Sequence, residues 1–386
     1  MNNKLYFLMV ALGSALSVLI VLFMIASPAG SAGSQKTIYE LPLNPNGSAF
    51  ELNEDPAGHL WVSDFDAGEI WEVDPALGKV TIYEGMVLPA DARHDGNGNV
   101  WYAEAYSNQL GQLSTVTNTI TLWEAPGASG LYATQIDPDG NIWATDGLAA
   151  GLYRLAPGSR QMCRYQIPST AGSLYVEAND QGIWLVDGNG ESIFRLDPAA
   201  NEFTLWQLPT AGYPYGLDLD PAGNLWWADN DLGTVNRLEA DINRMATFTP
   251  TISSLPVMLD TSAGEVWFTD DSNSLIGKLA PSVASSATLT LVRSTVAVEP
   301  SCTIVEPSAA KPITVTTELK SFTKTGYDQL ADEDGWTILE VPDQGGPYGV
   351  RISGSSTWVV DFNRQVLSRI PREDSYSIYL PLINRG

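Results

Sequence analysis

Seven acidic residues recur at one position of a repeated motif, three residues after a tryptophan. They are Asp64, Glu104, Asp146, Asp187, Asp229, Asp270 and Asp361. If these carboxylates form a ring, their oxygens suit Mg²⁺ or Ca²⁺, and a carboxylate can also act as a general acid or base. The alternative is that each one accepts hydrogen bonds from backbone N–H groups in its own turn or in the next repeat. A feature shared by every repeat more often serves the fold than a single site.

A ligand site is therefore expected where the repeat is broken. Asp271 stands beside Asp270, and Asp231 and Asp66 each lie two residues after a repeated acid. Tyr215 and Tyr348 each precede a glycine near the start of an inner strand, where they would form aromatic walls. We predict ligand binding by Tyr215, Tyr348, Asp271 and Asp231.

The tryptophans of the motif define the elements that must position these residues. Trp61, Trp101, Trp143, Trp184, Trp226, Trp267 and Trp358 follow one another at steps of 40, 42, 41, 42 and 41 residues, then 91. A period near 41 with one tryptophan per unit is typical of a four-stranded propeller blade. The sequence therefore predicts an all-β, seven-bladed β-propeller over residues 35–386, with an insertion at about 282–336 in blade 6.

Each unit predicts the same local structure. A turn such as Asp220-Pro-Ala-Gly-Asn224 combines the fixed φ of proline, an Asp side-chain cap and a glycine suited to positive φ. Eleven residues after five of the tryptophans comes a basic residue, which a hairpin would place across from the indole. These five are Arg154, Arg195, Arg237, Lys278 and Arg369.

Charge and the N-terminus indicate the setting. The chain has 45 Asp and Glu against 20 Lys and Arg, a net charge of −25, which disfavours nucleic acid and anionic membrane surfaces as partners. An apolar run of 22 residues from Leu5 to Ala26 precedes small residues. Residues 1–34 are therefore a signal peptide or an uncleaved membrane anchor, and we expect an extracytoplasmic protein that meets a membrane only through this segment.

The insertion and the two chain ends raise questions of topology. Alternation in 287–292 and 313–317 suggests a β-hairpin or small sheet in the insertion, expected on the face opposite the mouth as a decoration or partner-binding module. Cys302 in the insertion and Cys163 in blade 3 invite a disulfide in an exported chain, although their blades are three apart. The segment 37–42 resembles a fourth strand that would close the last blade; the alternative is 376–382, in a C-terminal tail of about 372–386.

The two histidines do not form a metal signature. His59 looks like a turn variant, and His94 belongs to an inner strand, facing the channel or a neighbouring blade. Neither has a His or Cys partner at the spacing of zinc ligands.

Three segments resemble the virginiamycin B lyase (streptogramin lyase) family of seven-bladed propellers. They are 224–229 (NLWWAD), 265–270 (EVWFTD) with 275–279 (LIGKL), and 213–217 (YPYGL). The resemblance covers roughly residues 37–371 apart from the insertion. It implies a lyase that opens the ester ring of B-type streptogramins by elimination, with Mg²⁺, a histidine base and a Glu-x-His pair on the mouth face.

The catalytic part of that resemblance does not carry over to this chain. The positions two residues after the acids hold Asp66, Tyr106, Leu148, Asn189, Asp231, Ser272 and Asn363. None is histidine, so we do not expect streptogramin lyase activity. We expect a module that binds a small molecule, a glycan or a protein at its mouth; the alternative is a metal-dependent lyase or hydrolase that uses mouth-face carboxylates.

Overall fold

The computed structural model describes residues 35–372 except Tyr106, Ala263 and Ser285. The expected signal or anchor segment (1–34) and residues 373–386 of the tail lie outside this part. Among the described residues, no helix combines the length and apolar character needed to cross a membrane.

The described chain is all-β, and its strands form seven four-stranded blades, as predicted. The first strand, β1 (Gln35–Pro42), stands ahead of the first blade. Blade 1 comprises β2 (Ala49–Glu54), β3 (Leu60–Asp64), β4 (Glu69–Asp74) and β5 (Lys79–Glu84). Blade 2 comprises β6 (Pro89–His94), β7 (Asn99–Glu104), β8 (Gln109–Ser114) and β9 (Thr119–Glu124). Blade 3 comprises β10 (Leu131–Ile136), β11 (Ile142–Asp146), β12 (Gly151–Ala156) and β13 (Gln161–Gln166).

The same order continues through the later blades. Blade 4 comprises β14 (Val176–Asn179), β15 (Gly182–Val186), β16 (Ser192–Asp197) and β17 (Glu202–Gln207). Blade 5 comprises β18 (Pro214–Leu219), β19 (Leu225–Asp229), β20 (Thr234–Glu239) and, after a 3₁₀ turn at Ala240–Ile242, β21 (Arg244–Phe248). Blade 6 begins with β22 (Leu259–Ser262), β23 (Glu265–Asp270) and β24 (Leu275–Leu279).

The insertion separates these three strands of blade 6 from the fourth. It contributes β25 (Ala287–Thr290), β26 (Val292–Ala297), β27 (Ser301–Ile304), β28 (Lys311–Pro312), β29 (Thr314–Leu319) and β30 (Thr323–Glu333). Blade 6 then ends with β31 (Trp336–Glu340). After a 3₁₀ turn at Pro342–Gln344, blade 7 begins with β32 (Pro347–Ser353), β33 (Ser356–Asp361) and β34 (Val366–Pro371).

The turn between the first two strands of a blade explains why the motif recurs. In blade 5, Asp220 Oδ1 accepts the N–H groups of Ala222 and Asn224, both at 2.9 Å. Its Oδ2 accepts the indole N–H of Trp226, also at 2.9 Å. One carboxylate therefore caps the turn and fixes the buried indole that begins the next strand.

The predicted pairing of a basic side chain with each tryptophan is confirmed in all five blades. The two residues are direct cross-strand partners in each case. The distances from the charged group to the indole centre are 5.9 Å for Arg154, 5.2 Å for Arg195, 5.3 Å for Arg237, 5.9 Å for Lys278 and 6.0 Å for Arg369.

The N-terminal strand closes the ring. β1 pairs antiparallel with β34 over Tyr39–Pro42 and so supplies the outer strand of blade 7. The expectation that this strand fills the slot is therefore confirmed.

The insertion does not lie on one face of the propeller, and the expected hairpin within it is wrong. β25 pairs with β21 of blade 5, β26 with blade 4, β27 with blade 3, β28 with blade 2 and β29 with blade 1. β30 then joins β1 to β31. We call residues 287–333 the belt, since they pass around the outer edge of the blades. Alternating polar and apolar residues predicted strands correctly, but the strands pair with the blades instead of with one another.

This path also brings the two cysteines together. Cys302 in β27 lies directly opposite Cys163 in β13, and the two form a disulfide. The distance in sequence between blades 3 and 6 is no obstacle, because the belt passes blade 3 on its way around the ring.

Candidate ligand site at the channel mouth

The mouth face carries the turns between second and third strands and the segments that lead into the inner strands. All seven repeated acids lie at this level, and all are buried. Each also bonds to the segment that enters the inner strand of its own blade. The partners there are Ser48, Val87, Ser129, Ser169, Tyr213, Leu255 and Gly346.

Asp270 shows what such an acid does. Its Oδ2 accepts the Leu255 N–H at 2.6 Å and the Ser254 hydroxyl at 2.9 Å, and its Oδ1 accepts the Asn273 N–H at 2.9 Å. Two separate loops are thereby tied together by one carboxylate. Burial raises the pKa of several of these acids, for example that of Asp64 to about 6, while the backbone N–H groups act in the opposite direction.

The acids are therefore engaged with their own loops and are spread one per blade. Within the described ranges, no three His, Cys, Asp or Glu side chains come close enough to hold one metal ion. Each of the seven carboxylates instead accepts a hydrogen bond from the segment that enters the inner strand of its own blade.

A cluster of aromatic side chains fills the channel at the mouth. Tyr348 and Tyr215 meet here, with the Tyr348 hydroxyl donating to the Tyr215 hydroxyl at 2.7 Å. The Tyr348 hydroxyl also lies 3.1 Å from that of Tyr175, which donates to Glu51 Oε1 at 2.8 Å. Phe50 stacks on Tyr348 with ring centres 4.1 Å apart. Tyr132 meets Phe50 edge-on at 6.2 Å. We call Phe50, Glu51, Tyr132, Tyr175, Tyr215 and Tyr348 the mouth cluster.

Glu51 has an unusual electrostatic environment. Burial and, to a smaller extent, the nearby carboxylate of Asp91 raise its pKa to about 8, against the lowering effect of the hydrogen bond from Tyr175. At neutral pH the mouth cluster thus contains a carboxylic acid that keeps its proton among neutral hydroxyls.

A layer of charged and polar side chains lies further along the inner strands, below the mouth cluster. The inner-strand residues opposite the tryptophans are Asn53, Arg93, Gln135, Glu177, Asp218, Asp260 and Arg351. Arg93 contacts Glu177 at 3.4 Å across the channel, and Arg351 contacts Asp260 at 3.0 Å. Burial raises the pKa of Asp260 to about 8 and that of Glu177 to about 7. The channel is therefore polar and ion-paired below its aromatic mouth.

The four residues predicted to bind ligand fall into two groups. Tyr215 and Tyr348 belong to one cluster, although Tyr348 is only 5% exposed. Asp231 is exposed on the turn of blade 5, and half-buried Asp271 accepts the Ser272 hydroxyl at 3.1 Å on the turn of blade 6. Burial raises the pKa of Asp271, and so does the neighbouring Asp270.

The sequence reasoning missed Phe50, Glu51, Tyr132 and Tyr175. A usable signal was present for two of them. Phe50, Tyr132, Tyr215 and Tyr348 each stand three residues before the inner-strand partner of a tryptophan. Aligning the blades on these partners would have shown an aromatic position in four of them.

The rim around the cluster is acidic and partly apolar. Asp66, Glu191, Asp231, Asp271 and Asp343 lie in the mouth segments, with the apolar side chains of Leu148, Leu232 and Phe362 between 39% and 47% exposed. In the described mouth segments the one basic side chain is Arg364. It is held by Glu40 at 2.7 Å and by the Tyr327 hydroxyl at 3.0 Å.

The histidines lie away from the mouth cluster. His59 lies in the turn between β2 and β3, with Nδ1 3.1 Å from Glu72 and 3.4 Å from Asp55. His94 stacks on Trp61 of the neighbouring blade, with ring centres 5.3 Å apart.

Comparison with known proteins agrees with this architecture. The profile of the virginiamycin B lyase family matches residues 118–300. A crystal structure of a catalytically inactive virginiamycin B lyase from Staphylococcus aureus with quinupristin aligns with a TM-score of 0.66 and 17% identity, over 86% of this chain and 98% of that one. A streptogramin B lyase structure aligns with a TM-score of 0.64 and 18% identity, over 88% and 99% of the two chains.

This chain has a virginiamycin B lyase-like β-propeller fold. The resemblance seen in the repeat motifs is thereby confirmed. At 17–18% identity these structures show the fold alone. A more distant propeller, YCF48 bound to a D1 peptide, aligns with a TM-score of 0.53 and 11% identity over 87% of this chain and 97% of that one. Comparison with curated proteins gives no match.

Proposed function

We propose that this virginiamycin B lyase-like propeller is an extracytoplasmic binding module. Its ligand would lie on the mouth cluster and carry a ring that can stack on an aromatic face, as a glycan, a small molecule or an aromatic side chain of a protein does. The observation that carries the proposal is the meeting of Tyr215, Tyr348 and Phe50 at the channel mouth. Aromatic faces with hydroxyl groups favour ring-shaped ligands that also form hydrogen bonds.

The charges of the rim indicate which ligands are accepted. Acidic side chains surround the cluster, and Arg364 is already paired with Glu40. Within the described mouth segments, an anion would meet repulsion from the acids, and the basic side chain there is already engaged. The ligand is therefore neutral or cationic.

Two observations support the extracytoplasmic location. The N-terminal sequence has the pattern of an export segment. The Cys163–Cys302 disulfide is of a kind that persists in oxidising compartments and is rare in the cytosol.

A binding panel tests the proposal. The soluble protein would be titrated by calorimetry with neutral oligosaccharides, aryl-ammonium compounds and matched aryl-carboxylates. We expect binding of neutral or cationic ring compounds, and a roughly tenfold loss in Tyr215→Ala, since stacking contacts contribute about 1 kcal/mol or more each.

The control is Tyr39→Phe, which changes a half-buried tyrosine on the outer strand β1. It should bind as the unmodified protein does. Preferential binding of the carboxylates, or full affinity in Tyr215→Ala, would refute a mouth site of this kind.

The alternative function, a metal-dependent lyase or hydrolase, makes a different prediction. Changing Asp270 and Asp271 together to Asn would then abolish metal binding and activity. Under the binding proposal, the double variant is less stable than the unmodified protein, and neither protein shows metal-dependent binding or activity.

A further inference from the structure

One backbone hydrogen bond from the belt recurs at each of blades 1 to 5. The N–H groups of Leu291, Val298, Val305, Ile313 and Lys320 donate to carbonyls in the outer turns of blades 5, 4, 3, 2 and 1. These donors are spaced by 7, 7, 8 and 7 residues. The acceptors are Asn243, Asn201, Arg160, Asn118 and Gly78, all with positive φ. The belt therefore has a register of about seven residues per blade.

Side chains at or beside these donors enter the gaps between neighbouring blades. Leu291 and Val305 are buried, and Val305 belongs to the core between blades 2 and 3. Ile313 packs against the core between blades 1 and 2. Phe322 lies 5.6 Å from Trp358 in blade 7. The belt thus fastens adjacent blades as well as extending each sheet.

The longest strand of the belt, β30, lies at the point where the ring closes. β1 pairs with the belt strand β30 over Gln35–Glu40 but with β34 of its own blade only over Tyr39–Pro42. The second half of β30 pairs with β31 of blade 6. A single belt strand therefore joins the closing strand to the preceding blade.

Tyr327 of β30 forms the centre of this closure. It is 1% exposed, and its hydroxyl donates to Glu40 of β1 at 2.7 Å. The same hydroxyl lies 2.9 Å from Ser368 of β34, and Arg364 donates to it at 3.0 Å. One belt side chain therefore connects both strands whose pairing closes the ring.

From this arrangement we propose that the belt is the fastening element of the propeller. It locks β1 in place from outside, so that the ring opens only when the belt detaches. A propeller closed by its terminal strand alone depends on the pairing of that strand with one neighbour. Here the terminal strand is enclosed between two.

Hydrogen exchange of the full protein, followed by mass spectrometry of peptides from β1, tests the proposal. In Tyr327→Phe we expect exchange in β1 to accelerate about tenfold, because local opening governs exchange and the variant loses the hydroxyl that joins three elements. The matched control is Tyr83→Phe, which removes a 3.0 Å hydroxyl-to-Glu72 bond in blade 1, away from the closure. It should leave β1 exchange unchanged.

The disulfide supplies a second, independent test. We compare the oxidised protein with Cys163→Ser/Cys302→Ser and with protein reduced by a dithiol, which supplies two electrons and two protons to yield two thiols. We expect both to show faster exchange in β26–β28 and a Tm lower by about 5–10 °C, since the bond closes a loop across 139 residues.

Two results would overturn the proposal. One is β1 exchange in Tyr327→Phe that equals that of the unmodified protein. The other is a belt that becomes fully exchangeable without the disulfide while β1 stays as protected as before. In either case the ring would close through β1 and β34 alone.

Discussion

The seven repeated acids, which we call the acid ring, lie at the same end of the propeller as the mouth cluster. The two groups differ in regularity and in what their polar atoms contact. The seven acids repeat in every blade and bond to the loops of their own blade. The mouth cluster has aromatic rings in only some blades, and its hydroxyls bond to one another across the channel. The regular feature connects loops within each blade, and the irregular one connects different blades across the channel.

The largest expected effect tests the structural role of the acids. Asp270→Asn should lower the free energy of unfolding by about 2–4 kcal/mol, because buried donors lose a charged acceptor. Asp271→Asn, in the next position, where the carboxylate accepts the Ser272 hydroxyl, should change it by less than about 1 kcal/mol. Urea denaturation measures both. If the two changes lowered stability equally, Asp270 would have no structural role that Asp271 lacks.

The second prediction concerns the protonated acid of the mouth cluster. Because the pKa of Glu51 is raised to about 8 from a usual value near 4.5, the folded chain holds a proton that the unfolded chain has lost between these pH values. Its contribution therefore makes stability fall as pH rises through that window and level off above about 8.

Glu51→Gln removes this contribution while keeping an oxygen that accepts from Tyr175. Between pH 5 and 8 the variant should lose about 1–3 kcal/mol less stability than the unmodified protein. Some slope should remain, because Asp260 and Glu177 are shifted in the same direction. Parallel curves of unfolding free energy against pH for the two proteins would show that Glu51 titrates normally.

A smaller effect is expected within the hydroxyl chain. Tyr348→Phe removes the hydroxyl between Tyr175 and Tyr215 and keeps the ring that stacks on Phe50. Stability should fall by about 0.5–1.5 kcal/mol. Ring ligands that bind by stacking should keep their affinity within about threefold, whereas ligands that use the hydroxyl should lose more. Calorimetry on both kinds of ligand separates the two contributions.

The smallest expected effect concerns metal ions. A thermal melt of residues 35–386 with sub-millimolar Mg²⁺ or Ca²⁺ against EDTA should show a Tm change below about 1 °C, because ions stabilise only through binding to the native state. A clear rise in Tm would mean that part of the acid ring binds a cation. It would then favour the metal-dependent lyase or hydrolase over a binding module.

Much of the architecture was predictable because the contacts that define each repeat join residues close together in the sequence. The spacing of tryptophans, the Asp-Pro-Ala-Gly-Asn turn and the basic residue eleven positions on depend on contacts within one hairpin. Such contacts leave a signal in the sequence of each blade. The same logic placed β1 in the last blade, since its sequence matches other outer strands.

The belt was not predictable in the same way. Its alternating Thr and Val residues are equally compatible with a hairpin, and nothing local specifies the partner of a strand edge. The seven-residue spacing of its anchoring positions is visible only once the acceptor turns are known.

The sequence by itself determined the seven blades, the turns, the tryptophan and arginine stacks and the recurrence of the acids. These follow from residue types at fixed short distances. Only the tertiary structure decided that the acids bond to their own loops, that Glu51 and aromatic side chains of five blades meet at one channel, and that the insertion surrounds the ring. Those outcomes depend on which surfaces closure of the ring brings together, and closure joins residues far apart in the chain.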